Sequence, residues 1–103
     1  MEKYSVTYSQ SVVRWTHQHR HTSEVTKFFA ATKKMSDGNF GDTRQIVGNL
    51  YEKRVHTRSG LRIYYYLKLS HSIHVLLAGT KNTQKRDIIQ AKKMWTQETG
   101  RTK

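Results

Sequence analysis

Residues 61–69, LRIYYYLKL, alternate without a break. Leu61, Ile63, Tyr65, Leu67 and Leu69 fall on one side of an extended chain, and Arg62, Tyr64, Tyr66 and Lys68 on the other. A period of two marks a β-strand with one apolar face. Such a strand needs neighbours for its backbone groups and a layer over that face. The flanking sequence supplies the neighbours. Residues 50–56 read as a strand with Leu50, Glu52, Arg54 and His56 on one face and Tyr51, Lys53 and Val55 on the other. Arg58-Ser59-Gly60 makes the turn between the two. His71-Ser72 turns the chain again into residues 73–78, where the run through Val75, Leu76 and Leu77 suits a strand buried on both faces.

The covering layer is predicted from the segments on either side. Residues 4–8 alternate Tyr4, Val6 and Tyr8 against Ser5 and Thr7, a short strand. Val12, Val13 and Trp15 suggest a short helix that ends near residues 19–21, and Thr22 or Ser23 caps a second. In that helix Val25, Phe28, Phe29, Thr32 and Met35 form a stripe of helical spacing, stopped by Asp37-Gly38. Residues 38–48 hold three glycines and read as a linker tacked down by Phe40, Ile46 and Val47. Asn82 or Thr83 caps a last helix packed through Ile88, Ala91 and Met94 or Trp95, and residues 100–103 are a basic tail expected to fray. The predicted order is β-α-α-β-β-β-α in one domain, residues 1–103: an α+β fold, with an antiparallel sheet, a helical hairpin packed on one face, and an open basic face.

The expected open face carries charge where strands normally do not. Unpaired charge inside a strand is costly, yet Arg54 and Arg62 lie on adjacent strands at positions that antiparallel pairing can bring together. Lys81 follows the last strand at once. The whole chain is basic to match, with 19 Lys and Arg against seven Asp and Glu, a formal net charge of +12. Solubility alone asks for roughly 2–8 units on a small domain. An excess of this kind is suited to a polyanion: RNA, DNA, an anionic membrane or an acidic protein. The absence of cysteine excludes disulfides and thiolate zinc sites. No apolar run reaches the ~20 residues of a membrane span, and the first ten residues lack the apolar core of a signal peptide. A soluble, cytoplasmic protein is expected.

Arginine binds phosphate bidentately and keeps its charge. Arg54, Arg62 and Lys81 on one surface could stabilise the pentavalent phosphorus formed when a ribose 2′-OH attacks its neighbouring phosphate. RNA cleavage of this kind needs no metal and no cofactor. Glu52 is a candidate base and Tyr64 a candidate acid or base, although an ordinary tyrosine titrates near pH ~10. Tyr64 and Tyr66, if exposed, would stack on unpaired bases, and Lys68 and His56 share that face. The plainer alternatives are an ion pair of Arg54 with Glu52 or Asp87, and ordinary packing of the two tyrosines. His17, His19 and His21 read as a solvated helix end, since only His17 and His21 would share a helical face. His74 reads as a packed or hydrogen-bonded core histidine. The glycine-rich stretch 38–48 lacks the Gly-Lys-Ser/Thr ending of a nucleotide-binding loop.

These residues also carry a family resemblance. The runs YEKRV, SGLRIYYY and LLAGTKNTQKRDI, preceded by Gly38-Asn39-Phe40-Gly41-Asp42, resemble the RelE/ParE superfamily of toxins from type II toxin–antitoxin modules. Within it they are most similar to the HigB-like branch of addiction-module killer proteins. The ordered motifs are Gly-Asn-x-Gly-Asp, Glu-x-Arg, Gly-x-Arg-x-Tyr and Gly-x-Lys-x-Thr-Gln-x-x-Asp-Ile, and the likeness spans residues 15–94. The resemblance implies a RelE-like fold and mRNA cleavage on the translating ribosome. It also implies neutralisation by a cognate antitoxin protein, with operator DNA reached only through that antitoxin. Family positions fall on Arg54, Arg62 and Lys81, with Glu52, Tyr64 and Gln84 as further members, and Lys85 beside Gln84 would help to hold RNA. Asp87 is expected to orient Lys81 or a strand arginine. Lys53 stands where the family has an apolar residue, and the polar run 16–21 replaces a more apolar helix. The superfamily also contains gyrase inhibitors, and a plain basic nucleic-acid-binding module is a third reading of the same charge.

Overall fold

The strand of unbroken alternation sits at the centre of the molecule. In the computed structural model, which describes residues 3–102, the elements run β1 (Ser5–Tyr8), α1 (Gln10–Gln18), α2 (Ser23–Ser36), β2 (Thr43–Val47), β3 (Leu50–Val55), β4 (Leu61–Lys68), β5 (Ser72–Gly79) and α3 (Gln84–Thr99). One turn of 3-10 helix, Lys81–Thr83, leads into α3. The sheet has five strands in the order β1-β5-β4-β3-β2, so β4 has two strands on either side. The fold is α+β, as expected.

One face of the sheet meets α1 and α2. Leu61, Ile63, Tyr65, Ile73 and Val75 pack there against Val12, Phe28, Ala31 and Met35. Thr32 and Ser36 complete the buried side of α2, while Phe29, expected in its stripe, is 45% exposed. Tyr4, Val6, Tyr8 and Phe40 close the rim of this core. Lys53 points into the same layer and donates from Nζ to the Phe40 carbonyl at 2.7 Å. A lysine fits the position because its stem is buried while its ammonium finds an oxygen.

Four expectations need correction. The sheet is mixed, not antiparallel, because β1 runs parallel to β5 at the edge. Alternation fixes which side chains share a face but is blind to strand direction. Residues 38–48 are not merely a linker, since β2 forms there and pairs antiparallel with β3. The helices do not share one face. Helix α3 lies on the opposite side, where Trp95 packs with Leu50, Tyr66 and Leu76. The face expected to be open is therefore half covered. Leu69, expected to end the apolar face of β4, sits in the turn after it and is 89% exposed.

The last residues are anchored rather than frayed as far as they are described. Gly100 closes α3 in the left-handed conformation, and Arg101 donates to Asn49 Oδ1 at 2.8 Å, as does Trp95 Nε1. Residues 1, 2 and 103 lie outside the described residues, so the start of the signal-peptide reading and the tip of the tail do too. No helix among the described residues is long and apolar enough to cross a membrane.

Near the end of α3, His74 of β5 contacts Thr7 Oγ1 at 2.7 Å through Nδ1 and Glu98 at 3.4 Å through Nε2. It is thus a largely buried, hydrogen-bonded histidine. Burial holds its pKa below the ordinary 6.5, against the upward pull of Glu98. The unfolded chain then takes up the proton first, so stability falls as pH drops below about 6.5. His74→Gln should flatten that part of the profile, read as a smaller difference in urea midpoint between pH 7.5 and 5 than in the wild type.

Candidate anion-binding site

Pairing of β3 with β4 sets Glu52 opposite Tyr64 and Arg54 opposite Arg62. Pairing of β4 with β5 sets Arg62 opposite Gly79. These positions all face the α3 side of the sheet, next to the first turn of α3, whose Gln84 reaches Glu52 and whose Asp87 lies against Gly79. Like charges directly opposite each other on a sheet repel, so the pair needs a counter-charge. Glu52 supplies one beside Arg54. Its side chain is fully buried, Oε1 accepts from Arg44 Nε at 2.8 Å, and Oε2 accepts from Gln84 Nε2 at 2.8 Å. Arg54 Nε stands 3.6 Å from Oε1. Burial would push the Glu52 carboxyl up, but the hydrogen bonds from Arg44 and Gln84 and the charge of Arg44 win and hold it below the usual range.

Lys81 joins the group through the β3–β4 turn. Its backbone N–H donates to the Ser59 carbonyl at 3.3 Å. Gly60 lies between it and the sheet, with φ at +71°, and a Cβ there would come within 2.9 Å of Lys81 Cβ and 3.6 Å of an Arg62 terminal nitrogen. Only glycine tolerates both the left-handed backbone and that approach. Arg62 Nη1 donates to the Gly60 carbonyl at 3.3 Å. Arg54, Arg62 and Lys81 are thus brought together, as the sequence suggested.

The other candidates divide. Gln84 is at the site, held on Glu52. Lys85 is exposed one residue further along α3. Tyr64 is fully buried, and burial together with the negative Glu52 and Asp87 drives its hydroxyl far above the ordinary value. Tyr66 is buried under α3 and donates to Glu98 at 3.1 Å, and burial and Glu98 raise its pKa to about 12. Neither tyrosine is a stacking platform, because both rings lie inside the protein. Lys68, six residues along β4 from Arg62, is about 20 Å away by strand geometry. His56 lies just past the end of β3, is 80% exposed, and pairs with Asp42 Oδ2 at 3.0 Å. Asp87 lies in the first turn of α3. It accepts from Thr83 and lies 3.6 Å from Arg86, so it orients neither Lys81 nor a strand arginine. Its carboxylate fills the space at Gly79, where a Cβ would fall 2.0 Å from Oδ2.

Three buried polar atoms, Arg54 Nε, Arg62 Nε and Tyr64 Oη, find no hydrogen-bond partner among the described residues. All three belong to this site. Arg54 Nε already faces Glu52 Oε1 at 3.6 Å, just beyond hydrogen-bond distance. Buried donors are normally satisfied, so Arg62 is the arginine that retains capacity for an acceptor with negative charge. Arg44 was missed in sequence. It lay in a glycine-rich stretch read as linker, and the signal that could have found it was the β-rich run TRQIV, which puts Arg44 in reach of Glu52 once it pairs. Among the described residues no cluster of three His, Cys, Asp or Glu could hold a metal ion.

No family model matches the chain. Over 88 residues it is 34% identical to a protein of Haemophilus influenzae described only as uncharacterized, an alignment spanning 84% of this chain and 86% of that one. The chain belongs to that protein's family.

The role of Glu52 as the fixed counter-charge is testable. Glu52→Gln should cost about 1–3 kcal/mol near neutral pH. Because the folded carboxyl titrates below its ordinary 4.5, its stabilising effect is present above that pH and is lost as the pH falls through the lower folded value. Urea unfolding should therefore show the gap between variant and wild type shrinking from pH 7 to pH 3.5.

Proposed function

We propose that this protein is the toxin of a type II toxin–antitoxin module, a RelE/ParE-like endoribonuclease of the HigB-like branch. It would cleave mRNA on the translating ribosome, arrest translation, and be silenced by a cognate antitoxin. The observation that carries this reading is the opposed pair Arg54 and Arg62, with an unmet buried donor on Arg62 and the Lys81 backbone set against them across Gly60. A surface charge of the same sign supports it, since phosphate backbones are drawn to basic surfaces.

In this reading the scissile phosphate lies over Arg54 and Arg62. The ribose 2′-oxygen gives up its proton and attacks phosphorus, the bond to the 5′-oxygen breaks, and that oxygen takes a proton from water, leaving a 2′,3′-cyclic phosphate and a 5′-hydroxyl. The arginines and Lys81 stabilise the negative charge that builds on the equatorial oxygens. Glu52 is not the base, because both its oxygens are engaged and its proton affinity is lowered. It positions Arg44 and Arg54 instead. Tyr64 stays protonated and buried, so it is not the base either. We assign proton acceptance to His56, which is exposed two residues beyond Arg54 and paired with Asp42.

Induced expression should stop incorporation of labelled amino acids, and primer extension should find new 5′ ends within translated mRNA. Arg62→Ala should lower cleavage on the order of 10²–10³-fold and restore growth. A variant as toxic as the wild type would overturn the assignment. DNA damage with intact mRNA would point instead to gyrase.

A further inference from the structure

Beside the arginines, on the far side of Gly79, lies a second feature that the cleavage chemistry does not use. A cavity of about 290 Å³ is lined by Trp15, His19, Gly79, Thr83, Arg86 and Asp87, among others. It falls just below the ~300–1,000 Å³ range of ligand pockets, the scale of one flat ring system. His19 stacks on Trp15 with ring centres 4.8 Å apart and planes 29° from parallel, and Phe28 backs Trp15 at 5.3 Å. His19 is fixed by donation from Nδ1 to the Trp15 carbonyl at 2.8 Å. The aromatic wall is therefore rigid. Against it stands Asp87, a carboxylate only 6% exposed, with Thr83 donating to one oxygen. Arg86 reaches no closer than 3.6 Å to the other and is largely exposed. A carboxylate has about four acceptor positions, so Asp87 retains unused capacity inside a pocket with an aromatic side.

We propose that this cavity is a nucleobase subsite selective for guanine. The inference rests on the reading of the neighbouring arginines as an RNA phosphate site. Gly79, which lines the cavity, is the direct strand partner of Arg62, so the base is one held next to the bound phosphate. Aromatic rings stack on any base. Selection comes from the edge. A carboxylate accepts two donors side by side, and on the Watson–Crick edge guanine alone offers them, N1–H and the 2-amino group. Arg86 then donates to guanine O6, an acceptor arginine also uses in duplex readout.

The test uses the full chain, with its nuclease activity blocked by 2′-deoxy substitution at the attacking ribose. Short oligouridylates carrying one guanosine, adenosine or cytidine, and the unsubstituted oligomer, are compared by fluorescence anisotropy. The guanosine oligomer should bind about ten- to a hundredfold tighter than the adenosine one. Asp87→Asn and Arg86→Ala should each erase most of that ratio while leaving affinity for plain oligouridylate within about twofold. Arg86 is exposed, so its variant reports even if the buried Asp87 change impairs folding. Equal binding of all four oligomers, a ratio that survives both variants, or no binding at all overturns the proposal. Arg62→Ala should weaken all four alike. If it does not, the phosphate reading fails, and the guanine-to-adenine ratio still decides the subsite separately.

Discussion

A single buried carboxylate ties three parts of the molecule together. Glu52 takes Arg44 from the edge strand and Gln84 from the start of α3, and it stands beside Arg54 on its own strand. A bare carboxylate inside a sheet would be prohibitive. Satisfied on both oxygens, it becomes the local reference charge for the site. Remove it, and two guanidinium groups at directly opposed positions face each other without relief. The arrangement also couples site to scaffold, because β2 and the first turn of α3 are held by the atom group that sets the arginines.

The same economy governs Lys81. Its main chain binds the turn between β3 and β4, and its stem packs where Gly60 lacks a side chain. The segment between β5 and α3 is therefore fastened to the hairpin that carries the arginines. The backbones that carry Arg54, Arg62 and Lys81 are fixed by strand pairing and one missing side chain, and one carboxylate stands beside Arg54. In the proposed function that rigidity would count, since preorganised charge is worth more than charge that must be gathered.

Much of this was legible in the residues. The alternation of residues 61–69 put Arg62 on the face away from the hairpin core, and the same phase placed Glu52 and Arg54 with it. What was not legible has physical causes. Tyrosine alternates as well in a buried strand as in an exposed one, so only the arrival of α3 shows that Tyr64 and Tyr66 are inside. The side that α3 would cover was hidden because its sequence, QKRDIIQAKKMW, is polar nearly all round and buries only Asp87, Ala91 and Trp95. β2 was hidden because glycines on both sides signal turns more loudly than five residues signal a strand. The parallel setting of β1 depends on which edge is vacant, a property of the assembled sheet that no segment carries.

The ladder between β4 and β5 skips one residue: Tyr64 pairs with Leu77 and Tyr65 with Val75, leaving Leu76 as a bulge. That extra residue reverses the facing of everything after it in β5. Without it, Gly79 would point toward α1 and α2, and its place opposite Arg62 would be lost. The chain between Ile73 and Gly79 thus behaves like a reading frame. A side-chain exchange there acts at one position, but a deletion or insertion of one residue would turn the pocket side of the strand to the wrong layer. Variation in length among relatives should accumulate in the exposed turn at residues 69–71 and be absent from this strand.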